Sequence, residues 1–253
     1  MRKLAFNLKV CRFYFVATTL VVSLQCLSGQ DPRKPRNDLW ESSDRNRDAL
    51  LEHLRPVLKA AGGAGRLYYR VECWAKEVGN DFSFPQLELE APSKEKAGLD
   101  AVREIFRKCK EVTVAQGRDG AIGIRIGDVS GELLKTKIDL LTLKPRERYN
   151  PLQAIMAIER TTEVQAKMRQ LGVEEPLTFF QEHLQDPAPG LPHLPASMKN
   201  VTMDEALDRV AQTFGGLVIY GECTSANAPR LFSVRFVGIT DFQTLLQRNR
   251  QKK

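Results

Sequence analysis

At 253 residues with 42% hydrophobic side chains, the chain has enough apolar material for one large core or two small ones, which excludes a disordered coil. Its formal net charge of +7 suggests a nucleic-acid footprint only until the charges are located. Arg2, Lys3, Lys9 and Arg12 supply four of the 38 basic residues, and more of the excess sits in the closing QRNRQKK. Without the first four, the chain balances at about +3 against 31 acidic residues, so nucleic acid is not an expected partner.

Those four basic residues precede the apolar run FYFVATTLVVSLQCL (residues 13–27), which is followed by Ser28 and Gly29. That pattern predicts a signal peptide over 1–29. The run is shorter than the ~20 residues that span a bilayer and is broken by Gln25, so cleavage with no remaining membrane attachment is expected. The mature protein is then periplasmic or secreted. Residues 30–36, QDPRKPR, read as a disordered lead-in.

An N-terminal α+β unit is expected over 37–145. Asn37 or Asp38 can cap a helix whose stripe is Leu39, Leu50, Leu51, Leu54, Val57 and Leu58, closed by GGAG at 62–65. RLYYRVECWAK reads as a strand, FPQLELEAP as a short edge strand between prolines, and GLDAVREIFRKC as a helix facing inward with Leu99, Val102, Ile105, Phe106 and Cys109. EVTVAQ and GAIGIRIGD are two strands joined by GRDG, whose Asp-Gly step favours a hairpin. ELLKTKIDLLTL fits a strand better than a helix.

Residues 146–189 are expected to connect the two units, first by one long amphipathic helix. Asn150 is its N-cap, Pro151 its first residue, Gly172 its left-handed terminator, and Leu152, Ile155, Met156, Val164, Met168 and Leu171 its apolar face. DPAPGLPHLP then forms an extended connector.

From 190 to 241 the earlier pattern returns. LPHL answers FPQL, Ala206 and Leu207 answer Ala101 and Val102, LVIY answers VTVA, and FSVRF answers IGIRI. Thr202 and Glu205 form a capping box, and Met203, Leu207, Val210 and Phe214 the buried stripe. The fold class is therefore α+β, with two small strand-helix-hairpin units, and 242–253 is a basic tail. The stretch MKNVTMDEALDRVAQTFGGLVIY resembles the STN domain, the short N-terminal domain of secretins and TonB-dependent receptors. The layout is also similar to that of secreted proteins of Gram-negative bacteria. With no plug, barrel or secretin pattern following, the resemblance implies a periplasmic interaction module without the channel function.

The chemistry-bearing residues are sparse. His53, His183 and His193 stand alone, without metal-ligand spacing, and no metal or other cofactor is expected. AAGGAG follows a helix and lacks the lysine of a P-loop, and no GxSxG elbow occurs. Glu88 and Glu90 read as the solvated face of a strand, and Asn200-Val201-Thr202 as a helix cap. Cys73 and Cys109 are the preferred disulfide pair, with buried free thiols the competing reading. Arg125 and Arg235 hold matching positions in the two units and point away from the apolar faces, so each is a candidate anchor for a partner's carboxylate. No catalytic residues are assigned. The expected function is non-enzymatic binding of another envelope protein, with self-association possible. The alternative is a cell-envelope hydrolase using carboxylates between the units.

Overall fold

A computed structural model describes residues 34–72, 84–93, 95–117, 120–174, 190–225 and 228–240. The chain is α+β and divides into two compact units, 1–42 and 43–253. The first is described only as the opening turns of helix α1 (Lys34–Ala60), which begins inside the segment expected to be disordered. The signal segment 1–29, residues 175–189, which include the start of the connector, and the basic tail lie outside the described residues. Among the described residues no helix is long and apolar enough to cross a membrane.

The second unit is organised by β1 (Gly65–Glu72), in which Leu67, Tyr68 and Tyr69 are consecutively buried. Burial of consecutive residues marks a strand hidden on both faces, and this one lies between two parallel neighbours. The hairpin β2 (Val112–Gln116) and β3 (Ile122–Ile126) joins it on one side, with Leu67 opposite Ile124 and Tyr68 opposite Arg125. The hairpin β7 (Gly216–Ser225) and β8 (Ala228–Gly238) joins on the other, with Tyr68 opposite Tyr220. The two-residue β5 (Val173–Glu174) completes the order β2-β3-β1-β7-β8-β5. The two expected units thus share one sheet, and their boundary is not a boundary between sheets.

Each hairpin follows a helix: α2 (Gly98–Ile105) precedes the first and α6 (Met203–Phe214) the second. The helices cover opposite faces. Leu67, Tyr69, Ile122, Ile124, Ile126, Leu217 and Ile219 pack against α2 and against Leu50, Leu54 and Leu58 of α1. Tyr68, Val218, Tyr220, Phe232 and Val234 face α6 and the elements around it. The predicted stripe of α6 is buried as expected, Thr202 and Glu205 close the capping box at 3.2 and 2.8 Å, and Gly215 terminates the helix at φ 61°.

Two elements depart from expectation. FPQLELEAP does not join a ladder: it forms no strand and is held to α2 by Glu90 N donating to Ile105 O at 2.9 Å. The long connecting helix is two helices, α4 (Pro151–Glu159) and α5 (Thr162–Leu171), preceded by the single turn α3 (Pro145–Tyr149). Asn150 caps α4 through Leu152 N and Gln153 N, and Gly172 ends α5, both as predicted. The break falls at Thr161, whose extended backbone and Oγ1 bond to Ile158 O restart the helix and bring Val164 and Met168 into the core. Side-chain to carbonyl competition of this kind is common for threonine.

A separate ribbon pairs β4 (Lys137–Thr142) with β6 (Ser197–Thr202). Its buried residues are three apart, Ile138 and Leu141 facing Val201 and Met198, because Asn200 turns to φ 52° and breaks the alternation of β6. Left-handed geometry suits asparagine or glycine and opposes β-branched side chains. Asn200→Gly should therefore be neutral or stabilising in urea unfolding, whereas Asn200→Val should lose about 1–2 kcal/mol.

A filled polar layer and an open sheet edge as the candidate functional site

The alternation of RLYYR on β1 sets Arg66, Tyr68 and Arg70 on the face covered by α6, and Asp204 and Asp208, one turn apart on α6, meet Arg66 and Tyr68, while the exposed Arg70 donates to Asp128 O at 3.1 Å. Arg66 Nη1 lies 2.7 Å from Asp204 Oδ2, and its Nε lies 2.7 Å from Asp208 Oδ1. Tyr68 donates its hydroxyl to Asp204 Oδ1 in a short hydrogen bond. Burial pushes Arg66 down, but the facing Tyr68, Asp204 and Asp208 outweigh it and hold the guanidinium above its usual range. The Tyr68 ring takes Arg66 and Arg125 guanidinium carbons at 5.8 Å each, within cation–π range.

A second network follows on β7 and β8. Glu222, only 4% exposed, accepts from Tyr220 Oη at 2.9 Å, from Ser130 Oγ at 3.2 Å, and lies 3.4 Å from Arg230 Nη2. Arg230 also donates to Ser130 at 3.2 Å. The Tyr68 and Tyr220 rings stand edge to face at 6.2 Å, linking the two networks. Both oxygens of Asp204 and of Glu222 face donors, and the phenols are kept protonated, Tyr68 by burial and Asp204, Tyr220 by burial and Glu222.

That protonation has a measurable sign. The folded phenols titrate above the ordinary tyrosine pKa of about 10, so at alkaline pH the unfolded chain loses protons first. Their contribution is complete below that pH and declines above it, by about 1.4 kcal/mol per pH unit for each phenol. Urea unfolding above pH 10 should show this slope, and Tyr220→Phe should remove about half of it.

The sequence-predicted arginines are not brought together. Arg125 lies on the α6 face of the sheet, exposed, its Nη1 donating to Val129 O at 3.4 Å. Arg235 shares its side of β8 with Leu231 and Val237, which pack into the opposite core. The two therefore lie on opposite faces of the sheet. The expected Cys73–Cys109 bridge is also corrected. Cys109 is a buried free thiol whose Sγ donates to Glu88 O at 3.3 Å, and burial raises its pKa. Among the described residues, Cys223 is disulfide-bonded; Cys73 lies outside them. Glu90 is ion-paired with Arg107 at 2.6 Å, and Glu88 with Lys108 at 2.9 Å. His53 and His193 bond only to local carbonyls, and no cluster of metal-binding side chains occurs among the described residues; His183 lies outside them.

The sheet also keeps an open margin. Gly127 N donates to Glu111 O at 2.9 Å and Gly117 N to Ala121 O at 2.7 Å, so the odd-numbered residues of β2 turn their backbone groups toward β3. The even-numbered ones point away. Val112 N is used by Cys109 O at 3.2 Å, but among the described residues no backbone group meets Val114 or Gln116 on that side. β2 reads VTVAQ, without the charge, proline or bulge by which edge strands are usually protected. Arg66, Tyr68, Asp204, Asp208, Tyr220 and Glu222 were not singled out from the sequence, though charges repeating every second residue of a buried strand and every fourth of a buried helix were the available signal. Comparison of the chain with protein-family models, curated proteins and solved structures finds no match.

Proposed function

We propose that this protein is a secreted or periplasmic, non-enzymatic interaction module that binds another envelope protein, its two helix-hairpin units being STN-like. The observation that carries this reading is the unprotected β2 edge on a sheet whose two faces are otherwise covered. Exposed edges take extended segments of other chains through main-chain hydrogen bonds. The disulfide at Cys223 supports an oxidising compartment. The hydrolase alternative draws no support from the carboxylates of the polar layer, since Asp204 and Glu222 are already engaged by donors.

The test is affinity capture from periplasmic extract with the full chain as bait. A specific partner should be recovered, lost with Arg125→Glu beside the open edge and kept with Arg235→Glu on the opposite face. Recovery of no partner by the wild type overturns the reading.

A further inference from the structure

We infer that β2 is the docking strand, and that its occupant is an extended, acidic segment of another polypeptide in which apolar residues alternate with carboxylates. This rests on the interaction reading above and narrows it to one edge and one chemistry. The backbone sets the first requirement. The outward N–H and C=O of Val114 and Gln116 recur at every second residue, and only another extended main chain offers partners at that repeat.

The side chains set the second. Thr113 stands opposite Arg125 in the β2–β3 ladder, so both lie on the same face, and both are exposed. A residue of an added strand placed opposite Thr113 is next-but-one to Arg125, whose guanidinium lies over Tyr68 and beside Val129 O in the free protein and would swing across the small threonine to meet it. A carboxylate there completes an ion pair, whereas a lysine meets like charge. On the other face Val112 and Val114 are half-buried at the margin of the core formed with α2. Apolar residues of the added strand fall beside them and extend that core by one row.

The test uses the full chain and a fluorescein-labelled, terminally blocked peptide in which valine alternates with glutamate and threonine. The wild type should bind it saturably in fluorescence anisotropy, and the lysine-for-glutamate peptide should bind at least about tenfold more weakly. Arg125→Gln should erase that preference. Val114→Pro and Gln116→Pro each remove an outward N–H without touching the β2–β3 ladder, as edge strands tolerate, and should abolish binding while the circular dichroism is unchanged. Should one proline variant fail to fold, the other decides. Undiminished binding by a folded proline variant, no binding of the glutamate peptide to the wild type, or a dimer in sedimentation that Val114→Pro dissociates would each overturn the inference. In all three cases capture of an envelope protein by the wild type still decides the broader reading separately.

Discussion

Replacing Gly216 by alanine should lower unfolding stability by about 2–3 kcal/mol, among the largest single effects in this protein. A β-carbon at that position enters the ring of Phe236 and comes within 2.7 Å of Val237 O. The ring cannot simply withdraw, since it packs edge to face with Phe214 at 6.3 Å and covers the start of β7 from the neighbouring strand. The carbonyl belongs to the β7–β8 ladder, where Leu217 is registered with Val237, and cannot move without loosening that pairing. A double-mutant cycle separates the two conflicts. Phe236→Ala in the Gly216→Ala background should recover part of the loss, leaving the contribution of the carbonyl, and purely additive effects would contradict this account.

Arg66→Leu should be comparably severe, at about 3 kcal/mol, by a different route. The side chains of Arg66 and Asp208 are each only 14% exposed, so removing the guanidinium leaves a charged, poorly hydrated carboxylate without its arginine. Breaking one half of a buried pair is far more damaging than deleting both. Asp208→Asn combined with Arg66→Leu should therefore be more stable than Arg66→Leu alone in urea unfolding. Asp204, with about a third of its side chain exposed, is partly screened and keeps Tyr68, so its own substitution should cost less.

The local signals in this sequence were strong and largely sufficient for the elements themselves. Asn150, Thr202, Glu205, Gly172 and Gly215 end their helices by short-range chemistry, and the alternations of IGIRI and FSVRF place their buried faces without reference to the rest of the chain. What could not be read was long-range. β1 carries the same aromatic and aliphatic run whether it lies at an edge or at the centre, and only its two parallel partners, one of them some 150 residues away, make it the middle of the sheet. The matching helix-hairpin order of the two copies was visible, but not that their helices cover opposite faces, which is what separates Arg125 from Arg235. The polar layer was hidden for the same reason: Arg66 and Asp204 meet across 138 residues of sequence. The split at Thr161 turned on one hydroxyl competing for a carbonyl, too small a signal to outweigh a continuous apolar period.

The central position of β1 also fixes when the fold can be completed. One margin of this strand is closed by β3 within about 60 residues, but the other waits for β7, which begins at Gly216. A chain emerging from the ribosome therefore holds an uncapped, apolar strand until β7 is available, and closure of so wide a loop is slow. Any truncation that ends before β7 should be captured by chaperones or precipitate.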